Sequence, residues 1–265
     1  PHPGQIFEPV HTGCARSITA ARTKARPGFE RLRETGVECA SDPCDPEAIG
    51  DAARPVWYGD LKPKWEARED GAWFSQGAKE GELSYTLLVS SGPDCVTSEF
   101  HLTNLSSRPW KQSLAFNCFQ CAHDPAFRDH DCERTWVRSG RQFKRLVELP
   151  RVFGPRPAVQ LYSVEGAPPG KEIPFVANFQ ATPDAVAEPW MAILSRDGKR
   201  LVATVSRPGL FLFQNREFAC IHSAAGFGEL RPGQSAVAVN KTYFVRATLA
   251  AWHRRMQMDF SKPST

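Results

Sequence analysis

From residue 56 onward, apolar and polar residues alternate in short runs, and most runs end in a turn-forming cluster. The runs at 72–76, 82–91, 95–104, 110–121, 135–139, 158–166, 173–180, 190–196, 200–207, 209–215 and 236–247 read as β-strands. A period of two places successive side chains on opposite faces of a sheet. SGPD (91–94), RDGK (196–199), SRPG (206–209) and RPGQ (231–234) supply the Gly and Pro that reverse a chain. RDGK predicts a type I′ hairpin, because Asp-Gly tolerates the positive φ that such a turn requires. AAGFG (224–228) reads as a small-residue turn, and the alternation fades over 244–260 into one short closing helix. No repeat of fixed period is present, which argues against a propeller or a solenoid. The predicted fold is all-β: a large antiparallel two-sheet β-sandwich.

Residues 1–55 have a different texture, rich in Pro, Gly, Arg and Asp. One helical stretch at 17–35 is interrupted by Pro27 and Gly28. The expected organisation is an irregular N-terminal arm, 1–55, packed on a β-sandwich domain, 56–265. A hydrophobic fraction of 41% over 265 residues supplies a sizeable core. With 33 basic and 29 acidic residues the net charge is only +4, so no nucleic-acid partner is expected. The basic residues Arg16, Arg22, Lys24, Arg26, Arg31 and Arg33 read as a solvated arm. No apolar run approaches the roughly 18 residues that span a bilayer, so no transmembrane segment is expected.

Eight cysteines point to an oxidising compartment, hence a secreted or periplasmic protein carrying disulfides, with Cys39 and Cys44 closing a small loop. The opening at Pro1, without methionine, reads as a trimmed chain. Asn104 and Asn240 fit the glycosylation acceptor pattern.

The densest patch of reactive side chains is NCFQCAHDPAFRDHDCERTW, 117–136. Cys118, Cys121, His123 and Cys132 have ligand types and spacing that suit zinc, and the same thiols equally suit disulfides or buried packing. Asp124, Asp129, Asp131 and Glu133 could hold a hard cation such as calcium. Asp129 and Asp131 share a side if the segment is extended, and such a pair raises one carboxyl's pKa toward that of a general acid. The catalytic candidates are therefore Asp129, His130, Asp131 and His222, with Arg134 and Glu229 as substrate-binding neighbours. His222 alternates with Cys220 on one strand face, and His101 is a further candidate in mid-strand. Trp65, Trp73 and Trp110 offer indole faces on which sugar C–H groups stack. A metalloenzyme reading places zinc or copper on His123, His130 and His222.

The block LTNLSSRPW…NCFQCAHDPAFRD…ERTWVR, followed by CIHSAAGFGELRPGQSA, resembles secreted bacterial β-sandwich proteins associated with carbohydrate processing. The likeness covers roughly 56–260 and implies a sugar-related role, with a poly- or oligosaccharide as partner, but transfers no catalytic residue. A supersandwich of the sugar-epimerase or lyase type suits the strand number. The expected function is a glycoside hydrolase or polysaccharide lyase working in a cleft on the sandwich. The alternatives are a non-catalytic glycan-binding protein and the histidine-ligated metalloenzyme. No phosphate-binding glycine loop and no G-x-S-x-G are present, which argues against nucleotide binding and serine hydrolysis.

Overall fold

The computed structural model describes residues 46–121, 124–151, 158–173 and 186–261. In chain order the first strands are β1 (Pro46–Asp51), β2 (Val56–Trp57), β3 (Lys64–Ala67), β4 (Trp73–Lys79), β5 (Leu83–Ser91), β6 (Cys95–Asn104), β7 (Trp110–Asn117) and β8 (Phe119–Gln120). There follow β9 (Thr135–Ser139), β10 (Gln142–Arg145), β11 (Val159–Ser163), β12 (Trp190–Leu194), β13 (Leu201–Arg207), β14 (Gly209–Asn215), β15 (Cys220–Leu230) and β16 (Ser235–Val245). Helix α1 (Leu249–Ser261) closes the described chain.

Two antiparallel sheets result. Seven strands form one, in the order β11-β14-β15-β7-β1-β2 with β8 also on β15. Nine form the other, in the order β10-β9-β12-β13-β16-β6-β5-β4-β3. The alternating runs of β5 and β6 bury every second residue, as a sheet with one wet face demands. Their inward side chains, Leu83, Tyr85, Leu87, Phe100 and Leu102, meet Ile49, Ala115, Phe119, Leu212, Ile221 and Ala225 of the other sheet in the central core. A second apolar layer lies on the outer face of the seven-stranded sheet: Ala48, Leu114, Phe116, Leu161, Phe211, Phe213 and Ala224. A third lies on the outer face of the nine-stranded sheet, where Trp252 and Met256 of α1 pack on Trp190, Ala203, Val205 and Tyr243.

The predicted all-β sandwich and closing helix are therefore present, with four differences in detail. The chain enters the sandwich before residue 56: Pro46–Asp51 is β1, paired with both β2 and β7 and buried except at Glu47. AAGFG is not a turn but the middle of β15, where small side chains let strands approach. A Cβ on Gly226 would meet that of Leu210 at 2.9 Å. RDGK does lie in the β12–β13 hairpin, but the loop is longer than a type I′ turn. Gly198 takes φ +67° while the Asp197 carboxylate accepts from Ser195 Oγ at 2.6 Å and Lys199 N at 3.1 Å. Both acceptor-pattern asparagines are buried, and their amides bond internally: Asn104 to the Arg108 and Leu230 carbonyls, Asn240 to Thr204 and Ser206. The helical stretch at 17–35 lies outside the described residues, as does nearly all of the run at 173–180.

Candidate functional site

The 124–134 segment is folded by its own polar side chains. The Asp124 carboxylate accepts from Ala126 N at 2.8 Å, and Cys132 N bonds back to the Asp129 carbonyl at 3.4 Å, with Cys132 at φ +61°. A segment turned in this way does not alternate like a strand, so Asp129 and Asp131 part company. Asp129 is buried and accepts from Arg134 N (2.9 Å) and Thr135 Oγ1 (2.6 Å). Asp131 lies in solvent and pairs with Arg216 at 3.2 Å. The expected carboxylate pair does not form.

Arg134 directs its guanidinium at three main-chain carbonyls, those of Ala126 (2.9 Å), Leu194 (2.7 Å) and Arg128. That use of its donors ties the segment to the end of β12 and leaves little for a ligand. His130 is exposed, and its Nδ1–H donates to the Arg216 carbonyl while Arg216 Nε donates to the His130 carbonyl at 2.6 Å. The segment is thus pinned to the turn between β14 and β15.

His222 is elsewhere. It is 2% exposed, stacks on Phe116 with centroids 4.8 Å apart and planes at 7°, and meets Phe213 edge-on. Its Nδ1–H donates to the Phe213 carbonyl at 2.9 Å, and burial pushes its pKa down to about 4. Glu229, at the other end of β15, is exposed beside Arg231 at 3.7 Å. The three-histidine metal site therefore does not assemble: His130 is on the surface, His222 is under an aromatic layer, and His123 lies outside the described residues. Nor do Cys118, Cys121 and Cys132 converge as the sequence spacing suggests. Cys121 and Cys132 belong to the central core, whereas Cys118 groups with Cys220 and His222. No disulfide joins any two of the five described cysteines, Cys95, Cys118, Cys121, Cys132 and Cys220; Cys14, Cys39 and Cys44 lie outside the described residues.

The described residues form a cleft of about 420 Å³ at one end of the sandwich. Asp51, Arg54 and Val56 come from the end of β1, the β1–β2 turn and the start of β2, Lys79, Glu82 and Leu83 from the β4–β5 hairpin, and Ser106, Arg108 and Trp110 from the β6–β7 connection and the start of β7. None of its lining residues belongs to the 124–134 segment or to 220–229. Trp110 is the one sequence-singled residue on its wall, and it is buried, with Nε1 donating to Ser106 Oγ at 3.1 Å. Trp65 and Trp73 are half-buried against the central core. Asp51 is an ion partner of Arg108 at 2.6 Å, and Glu82 of Lys79 at 2.9 Å. Arg54, exposed at the rim, has neither a side-chain hydrogen bond nor an ion pair among the described residues.

Sequence reasoning missed this cleft, since its charged residues are spread over three connections. Two of the connections carry opposite charges close to an apolar strand start, Asp51 and Arg54 before Val56 and Lys79 and Glu82 before Leu83, while the third carries only Arg108. His101 lies on the open face of the nine-stranded sheet, with Nε2 2.8 Å from Glu99 Oε1.

No protein-family pattern matches this chain, and no curated protein does. Among solved structures it is similar to a galactose mutarotase related enzyme from Lactobacillus acidophilus: 10% identity, TM-score 0.42, covering 78% of this chain and 82% of that one. A galactose mutarotase-like protein from Lactobacillus casei gives 11% identity and TM-score 0.41, over 77% of this chain and 83% of that one. A GH36 α-galactosidase from Geobacillus stearothermophilus gives 12% identity and TM-score 0.40; it is covered over 79% of this chain but only 31% of its own length. These neighbours are carbohydrate-related. The two-sheet architecture stands on this chain's own strand pairing, and no residue's role follows from the likenesses.

Proposed function

We propose that this chain is a carbohydrate-active protein that recognises an acidic saccharide in the cleft lined by Asp51, Arg54, Glu82 and Arg108. The observation that carries the reading is the charge arrangement of the lining. Both carboxylates already face a cation, and the guanidinium of Arg54 is left over at the rim. A cleft of about 420 Å³ accommodates one or two sugar rings. Val56 and Leu83 offer apolar walls to ring C–H faces, while Asp51, Glu82 and Ser106 offer acceptors to hydroxyls. A uronate carboxylate is then the natural partner for Arg54, because guanidinium and carboxylate match as a two-pronged pair.

The test is calorimetric titration with uronate oligosaccharides and with neutral ones of the same length. The acidic ligands are expected to bind more tightly, with affinity falling as salt is raised. Arg54→Ala should weaken acidic binding about ten- to hundredfold, as a charged hydrogen bond worth about 1.5–3 kcal/mol implies, and leave neutral binding unchanged. Equal affinity for the two classes, or an effect of Arg54→Ala on both alike, would sink the reading. A parallel end-group assay extends it: new reducing ends indicate hydrolysis, unsaturated ends elimination, and neither indicates recognition alone.

A further inference from the structure

We propose that Cys118, Cys220 and His222 form a zinc site on the outer face of the seven-stranded sheet, separate from the cleft. Their ligand atoms lie within 4.8 Å of one another and all three residues are buried. The sheet register produces this convergence. Cys220 pairs with Gln120 and Ile221 with Phe119, so His222 comes opposite Cys118 and Cys220 stands diagonal to it. Cys220 and His222 share a face because they are two apart on one strand. In a tetrahedral zinc site, with bonds of about 2.0–2.3 Å, ligand atoms stand roughly 3.3–3.8 Å apart. Side-chain adjustment of up to about 1.5 Å, shared between the ligands, closes the difference.

The histidine has one ring nitrogen held and the other open. A carbonyl only accepts, so the 2.9 Å contact with Phe213 O fixes the proton on Nδ1 and leaves the lone pair on Nε2. Metal-binding histidines are held in this way, by the nitrogen that does not bind the ion. Phe116 stacked on one ring face and Phe213 against its edge hold the plane.

Two sulfurs and one imidazole are soft and borderline donors, a set that selects zinc over calcium or magnesium. The charge balance also suits a buried position. Two Zn–S bonds and one Zn–N bond form, two S–H bonds break, and both protons leave to solvent, so a dication replaces two protons and the net charge of the site is unchanged. Glu47 of β1 hydrogen-bonds Cys118 through its carboxyl.

The experiment uses the whole chain, purified reduced and without chelator, with zinc measured by elemental analysis against protein. An equimolar content is expected, falling to background in Cys220→Ser and in His222→Gln and unchanged in the control Cys95→Ser. Where a variant fails to fold, cobalt loaded into the wild-type chain gives the second reading: a thiolate-to-cobalt charge-transfer band, removed on adding zinc. Zinc retained by folded Cys220→Ser would assign the metal to other cysteines and overturn the site. So would a reconstituted wild-type chain that takes up neither ion, or a Cys118–Cys220 disulfide found in the native protein by mass spectrometry.

Discussion

Asp129 shows how one buried carboxylate can be committed to folding while resembling a catalytic group. Its Oδ2 takes both the Arg134 amide and the Thr135 hydroxyl, at 2.9 and 2.6 Å, while Oδ1 lies 3.8 Å from the Arg134 guanidinium. Truncation to alanine leaves two buried donors unsatisfied, at about 1–3 kcal/mol each before relaxation. Asp129→Ala should therefore lower the urea midpoint by an amount equivalent to about 2–4 kcal/mol. Asp131→Ala, which removes a solvent-exposed pair, should change it by less than about 1 kcal/mol. A destabilisation of similar size for both would show that burial is not what separates them. The sequence put both in one catalytic pair, and for a definite reason. Spacing by two implies a shared face only in an extended chain, and the Asp124 and Asp129 side chains themselves bend this one. The Cys220–His222 spacing carried its meaning intact because it falls within a strand. What the sequence could not reveal was the third member, since Cys118 is brought to them by register and not by proximity in the chain.

At the scale of the element, α1 owes its place to one aromatic side chain more than to its charges. Trp252 is 1% exposed and meets Trp190 and Tyr243 edge-on, at centroid distances of 5.1 and 5.8 Å. Arg255 forks onto Asp94 with contacts of 2.5 and 2.7 Å, but both side chains remain about one-third exposed, where solvent screens the pair. Burial should win. Trp252→Ala is expected to cost about 3–5 kcal/mol and Arg255→Ala about 1 kcal/mol, measured as the loss in unfolding free energy. Amide exchange along 249–261 should speed up in the first variant only. This helix was legible as the place where period-two alternation stops. β1 was not, because PEAIGD has a proline, two acids and a glycine in six residues, and only pairing on both sides makes it a strand. Its acids then acquire separate uses: Asp51 in the cleft wall and Glu47 beside Cys118.

For the whole molecule the question is what keeps two sheets in one relative position, since apolar packing alone tolerates sliding. A buried polar chain crosses between them. Ser206 of the nine-stranded sheet donates its amide to Ser223 Oγ of the other at 2.8 Å and its hydroxyl to the Ser223 carbonyl. Ser223 Oγ in turn donates to the Pro189 carbonyl. Asn240 anchors the chain from below, donating to Ser206 at 2.9 Å and Thr204 at 3.0 Å and accepting from Thr242 at 3.3 Å. Thr204, Ser206, Ser223, Asn240 and Thr242 are all 2% exposed or less. Such a network has directional partners in both sheets, so it penalises displacement in a way that a Leu–Phe contact does not. Nothing in the alternating pattern announces it, because Ser, Thr and Asn at inward positions look like interruptions of a core. Asn240→Ala strands several buried hydroxyls and should cost about 2–4 kcal/mol. The slope of unfolding against urea tells what kind of loss this is. If the network only adds stability, the midpoint falls and the slope, which tracks exposed surface, stays as in the wild type. If it holds the sheets together, the variant unfolds in stages and the apparent slope drops as well. The crossing at Ser206 and Ser223 favours the second outcome. An unchanged slope in Asn240→Ala would count against that role, and a midpoint within about 0.5 kcal/mol of wild type would remove the network from the account of stability altogether.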